Sequence, residues 1–269
     1  MTAELDRYRK YGERIETLIR PTTFPLAVKL IQSESEILPE YKRPSRDMEL
    51  QNFICQNFKM VRSYGWTMAV TEEDINCKLA RVIYGWDTPT EEDEKWGSDF
   101  SVGLYSKDAE TSARFVQSLY HLKNEYTGLI VSPLSRTKVI PDTILIYCLP
   151  AQAMRFVQGY LFMEGGVLNF SAAGRAGSCH EGVGKPLLTN QPQYITLGNG
   201  DRIWGGAQDF EVAFSCPEKK LDILMEGLEK TPAAGLRYPI PQYMNYTPGF
   251  QKEFEQAAIK RAGGTIKKE

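Results

Sequence analysis

GGVLNFSAAGRAGSCHEGVGK, residues 165–185, reads as a strand that runs into a loop of small residues and on into a helix. The apolar run from Val167 to Phe170 has the composition of a strand. Ser171, Ala172, Ala173, Gly174, Ala176, Gly177 and Ser178 leave the backbone lightly covered, so its N–H groups can approach a ligand. A helix beginning near Cys179 favours negative charge at its N-terminus. A thiol placed there is expected to have a lowered pKa, fit for reaction or for metal. The same residues also suit a tight turn around a buried, inert thiol.

Outward from this stretch, helices and strands alternate. Residues 143–149, TILIYCL, form an apolar run of the kind buried on both faces of a sheet. Pro150 opens a helix that follows it. Residues 51–64 read as a helix with Phe53, Ile54, Phe58 and Val61 inward, and residues 66–70 as a strand. Further strands are expected at 25–31, 127–134, 193–197 and 209–215, and helices at 3–19, 107–122, 217–230 and 247–261. Residues 33–50 and the acidic run 88–96 read as loops. The pattern predicts a mixed α/β (α+β) fold in one domain over residues 1–269.

Two segments echo each other. CQNFKMVRSYGWTMAVTEEDINCKLARV begins at Cys55, and AQAMRFVQGYLFMEGGVLNFSAAGRAGSCHEGV begins at Ala151. Gln56, Lys59 and Val61 match Gln152, Arg155 and Val157, and Cys77 then falls opposite Cys179. The echo predicts two related helix–strand–Cys–helix halves, residues 20–125 and 126–232, packed together. A pseudo-twofold axis between them would bring Cys77 and Cys179 together, with Cys55 near the same axis. Chance likeness between two amphipathic units gives the same echo.

Composition narrows the function classes. The chain has 269 residues, 42% of them hydrophobic and 11% aromatic, enough for a sizeable core. A net charge of −2 does not suggest a nucleic-acid partner. No apolar run reaches the ~18–20 residues that span a bilayer. The N-terminal stretch is charged throughout, and a cytoplasmic protein is expected. The five cysteines, Cys55, Cys77, Cys148, Cys179 and Cys216, are odd in number and widely spaced, which argues against a disulfide framework. There is no CxxC pair, P-loop, HExxH or GxSxG motif.

FPLAVKL, CQNFKMVRSYGWTMAVTEEDINC, LPAQAMRFVQGYLFMEGG and GSCHEGVGKPLLTNQPQYITLGNGDRIWGGAQDFEVAFS carry a resemblance to the DUF169 family of bacterial and archaeal proteins. It covers about residues 20–230. It implies cysteines at positions 55, 77 and 179 acting together, leaves Cys148 and Cys216 without counterparts, and supplies no reaction.

Three thiolates suit a [4Fe–4S] cluster whose remaining iron is open or held by a non-cysteine group. Cys55, Cys77 and Cys179 are the candidate metal ligands. His180 and Glu181, beside Cys179, are candidate catalytic acid–base groups. Gly174, Arg175, Gly177, Ser178 and Arg202 are candidates to hold a small anionic metabolite, with arginine suited to bidentate binding of carboxylate or phosphate. Lys185 flanks the same loop. The leading expectation is an iron–sulfur protein handling that anion by Lewis-acid or redox chemistry. The alternatives are a metal-free binder of a small molecule, phosphate or CoA-like ligand, and a non-catalytic subunit of a larger complex. A homo-oligomer or a protein partner fits any of the three.

Overall fold

The apolar run at 143–149 becomes the strand Thr143–Cys148, buried along its whole length. Such burial needs cover on both faces, and the fold supplies it. In a computed structural model, residues 3–86, 101–123, 125–241 and 249–263 are described. They hold ten helices and a six-stranded sheet: β1 Leu26–Ile31, β2 Met68–Thr71, β3 Gly128–Pro133, β4 Thr143–Cys148, β5 Gln193–Ile195 and β6 Val212–Pro217. The order is β2-β3-β1-β4-β6-β5, and every neighbouring pair is antiparallel.

Alternation along each strand sorts the core into two layers. One face carries Leu26, Val28 and Leu30 of β1, Leu129 and Val131 of β3, and Leu145 and Tyr147 of β4. It is covered by α3 (Ile54–Tyr64), α4 (Lys78–Ile83) and a π-helical turn, Gly177–Gly184. The opposite face carries Ala27, Ile144, Ile146, Cys148, Phe214 and Cys216. It is covered by α1 (Ala3–Leu18), α6 (Pro150–Glu164) and α9 (Glu218–Lys230). The remaining helices are α2 (Pro44–Asp47), α5 (Ala109–Ser118), α7 (Lys185–Thr189), α8 (Asn199–Ile203) and α10 (Gly249–Arg261). None of the described helices is long and apolar enough to cross a membrane. The chain divides into a compact unit, Met1–Tyr238, and a second unit, Pro239–Glu269, which contains α10.

α6 and α9 approach closely because glycines face each other. A Cβ on Gly227 would lie 1.8 Å from the Gly159 carbonyl oxygen, so the contact admits no side chain there.

The strand expected from Val167 to Phe170 does not form. Gly165 and Gly166 both take φ +71°, a left-handed conformation that turns the chain away as α6 ends. β4, the nearest preceding strand, already has β1 and β6 on its two sides. Val167 is left 76% exposed. The acidic run 88–96 lies outside the described residues.

The echo survives locally. Gln56 accepts a hydrogen bond from the Phe53 N–H at 2.7 Å, and Gln152 accepts one from the Leu149 N–H at 2.8 Å, so the matched glutamines close matched helix starts. The helices they open, α3 and α6, nevertheless cover opposite faces. β3, from the second expected half, pairs between β1 and β2 of the first.

Candidate thiol site

Four segments converge on the α3 side of the sheet, and each brings one ionisable group. Cys55 sits in the first turn of α3. Cys77 is the residue before α4. Cys179 lies in the π-helical turn, and Asp201 lies on α8. The π turn is entered through Ala176 at φ +56°, a left-handed conformation that costs a non-glycine residue about 1–2 kcal/mol. Gly177 follows it, where a Cβ would meet the Asp201 Oδ2 at 2.7 Å. π turns of this kind are frequent at functional sites.

The segments are tied to one another through polar contacts. The Cys55 thiol donates to the Gly200 carbonyl oxygen at 3.3 Å. Asp201, 3% exposed, accepts from the Ser178 N–H at 3.1 Å and the Gly198 N–H at 2.8 Å through Oδ2, and from the Ser178 hydroxyl through Oδ1. A Cβ on Gly205 would sit 2.7 Å from the Asp201 carbonyl oxygen and 3.1 Å from the Cys55 Cβ. Asp201 is thus bracketed by the neighbours of Cys55 and of Cys179.

Burial pushes the Cys179 thiol well above its ordinary pKa, and Cys77, Asp201 and Cys55 push it in the same direction. Burial likewise raises Cys55, helped by Asp201 and Cys77. Burial raises Cys77 against backbone N–H groups of Ala80 and Ile54 that favour its thiolate. These mutual influences put the three thiols and Asp201 in one electrostatic neighbourhood. Burial thus shifts Cys179 in the direction opposite to the lowered pKa expected of a thiol at a helix start. Two phenols complete the group. Burial raises both Tyr84 and Tyr147. The Tyr84 hydroxyl is fully buried and has no hydrogen-bond partner among the described residues.

Arg62 pairs with Glu211 at 3.0 Å, both nearly fully buried, and its guanidinium lies 4.2 Å from the centre of the Tyr147 ring. Arg202, next to Asp201 in sequence, favours its charge, but no basic side chain among the described residues forms an ion pair with it. Among those residues, no three His, Cys, Asp or Glu side chains are close enough to hold a single metal ion. Cys148 and Cys216 lie on the other face, inside the apolar layer.

His180 and Glu181 are both buried and point into different surroundings. His180 Nε2 accepts from the Tyr120 N–H at 2.8 Å, and its ring stacks on Tyr120. Its Nδ1 is buried without a partner. Burial, then Lys185 and His121, lower its pKa to about 4. Glu181 accepts from the Ala173 N–H, and burial raises its pKa to about 7. Lys185 donates to the Ser171 hydroxyl at 2.6 Å.

The expected anion-binding set separates. Gly177 and Ser178 are close to Asp201 of the same chain, which uses up their approach. Arg202 donates to the carbonyls of Gln208, Thr196 and Glu211 and so braces the turn before β6. Gly174, at φ +73°, has open space around it. Arg175 is 8% exposed, with its guanidinium 3.7 Å from the Phe115 ring centre and 4.9 Å from that of Tyr105. It donates to the Ser101 hydroxyl at 2.6 Å, and its Nε has no partner among the described residues. Asp201, Tyr84 and Tyr147 were missed as site residues. The only sequence signal was the acid three residues after Gly198, which reads equally well as an ordinary helix start.

The DUF169 family model, described as uncharacterised ArCR, matches residues 14–227. An uncharacterised protein of Methanocaldococcus jannaschii, MJ0308, is 28% identical over 228 residues, which cover 84% of this chain and 95% of that protein. No solved structure matches the chain.

Proposed function

The chain belongs to the DUF169 family, and we propose that it is an iron–sulfur protein, with a cluster held by Cys55, Cys77 and Cys179 beside a site for a small anion. The convergence of three thiols, Cys55 and Cys179 buried and Cys77 partly buried, beside a Tyr84 hydroxyl with no partner among the described residues carries this reading. Buried polar groups are satisfied in native proteins, and a donor left over beside three thiols matches the sulfur acceptors of a cluster. A cluster binds each thiolate to a different iron, so its ligands need not meet at one point, in keeping with the lack of a single-ion site. Metal binding would also resolve the raised thiol pKa values, because the cation drives off the protons that burial retains. The bound group would supply electron transfer or a Lewis-acidic iron.

The chain's own residues then have separate tasks. Arg175 is a cation held between two rings that would attract a carboxylate or phosphate. Glu181, with a pKa raised to about 7, is poised to hold or release a proton near neutral pH.

The test is iron and acid-labile sulfide per chain after anaerobic purification of the wild type, Cys179→Ser and Cys148→Ser. About four irons are expected in the wild type and in Cys148→Ser, with a sharp loss in Cys179→Ser. Repeated anaerobic preparations without iron would sink the reading.

A further inference from the structure

We infer that Asp201 is the fourth, non-cysteine ligand of the proposed cluster, an inference that rests on the reading above. Three observations carry it.

The first is position. Asp201 is fixed between the Cys55 and Cys179 segments by the Ser178 and Gly198 N–H groups, while Gly200, the residue before it, accepts from the Cys55 thiol. No thiol other than the three lies on this face, since Cys148 and Cys216 belong to the opposite layer. A fourth ligand has to be something other than cysteine.

The second is bonding capacity. Each carboxylate oxygen accepts about two hydrogen bonds. Oδ2 has two, from backbone N–H groups. Oδ1 has one, from the Ser178 hydroxyl, and keeps a lone pair. The two backbone bonds hold the carboxylate in place, while Ser178 can rotate and leave Oδ1 free to bind. Outer contacts of this kind orient a ligand and weaken its basicity, which suits a ligand that is displaced when an anion binds.

The third is the unsatisfied Tyr84 hydroxyl in the same neighbourhood. It is independent of Asp201 and points to a missing acceptor there. Asp201 itself is a nearly buried acid with no ion pair to a basic side chain among the described residues. Burial favours its protonated form, and a cation bound there would favour the carboxylate.

The experiment is Mössbauer spectroscopy of 57Fe-loaded wild type, Asp201→Cys and Asp201→Asn, with electron–nuclear double resonance of the reduced wild type in 17O-water. One iron in about four is expected to differ from the rest in the wild type. Asp201→Cys should remove that difference, and Asp201→Asn should shift or lose the distinct iron. No 17O coupling is expected in the wild type. Four equivalent irons in the wild type, or 17O coupling from a bound water, would overturn the assignment whether or not the variants fold. An unchanged spectrum in both variants would overturn it too. Failure of the cluster reading is distinct: the wild type would then carry no iron at all.

Discussion

The two faces of the sheet are built from the same strands and do different things. The α1–α6–α9 face is an apolar layer in which Phe214 stacks on Phe156 with ring centres 5.0 Å apart, and even its two cysteines are packing groups. The α3–α4 face is equally buried but is threaded with acids, phenols and thiols around Asp201. Burial of apolar surface stabilises, whereas burial of polar groups costs unless each finds a partner. The difference teaches that one layer is apolar packing throughout, while the other carries polar groups whose burial opposes folding unless they are partnered.

The comparison is tested hardest on the apolar side. Phe214→Ala should destabilise the chain by about 3–5 kcal/mol, because Phe214 is fully buried against Phe156. The midpoint of urea unfolding measures it. Iron content of the protein that remains folded should not change. A loss of iron equal to that in Cys179→Ser would mean that the two layers are one functional unit.

Much of this division could be read beforehand, and some could not. The apolar run at 143–149 announced a strand covered on both faces, and Pro150 marked the start of α6. The choice of face could not be read: α3 and α6 start with the same glutamine cap, yet opposite layers receive them. That choice depends on which strand each chain segment returns to, a long-range property that a local pattern does not encode. The run from Val167 to Phe170 misled because composition alone suggested a strand, while two left-handed glycines and the absence of a free edge beside β4 decided otherwise. The three thiols stood out as candidates because cysteine is rare and chemically distinct. Asp201 and Tyr84 were missed because an acid in a first helical turn and an aromatic at a helix end are ordinary by sequence. Only burial without a basic partner, or without any partner, marks them out.

A smaller effect sharpens the contrast at the edge of the polar layer. Asp74 is fully buried and accepts from Arg43, Thr71 and Ser45. Burial opposes its charge, but the hydrogen bonds from Arg43, Ser45 and Thr71 outweigh it and hold the carboxyl below its ordinary range. The folded pKa is thus lower than the unfolded one. The stabilisation is present above the unfolded carboxylate pKa of about 4 and is lost as pH falls through the folded value. Asp74→Asn should cost about 3 kcal/mol at neutral pH and flatten the acid limb of a melting-temperature profile. An unchanged acid limb would show that Asp74 does not contribute to it.

The smallest effect separates the polar layer with and without its proposed occupant. Tyr84→Phe removes a buried hydroxyl that has no partner among the described residues. In protein stripped of metal it should raise stability by about 1 kcal/mol, since an unsatisfied buried donor costs at least that much. That corresponds to about 2–4 °C in melting temperature for a chain of this size. In iron-loaded protein the sign should reverse, because the hydroxyl then donates to a cluster sulfur and its loss leaves that acceptor weaker. The midpoint potential should fall as well, since hydrogen bonds to cluster sulfurs help set it. A gain of stability in both forms would mean that the hydroxyl has no acceptor even when iron is bound. The Tyr84 part of the argument would then fail, and the three thiols would have to support the cluster without it.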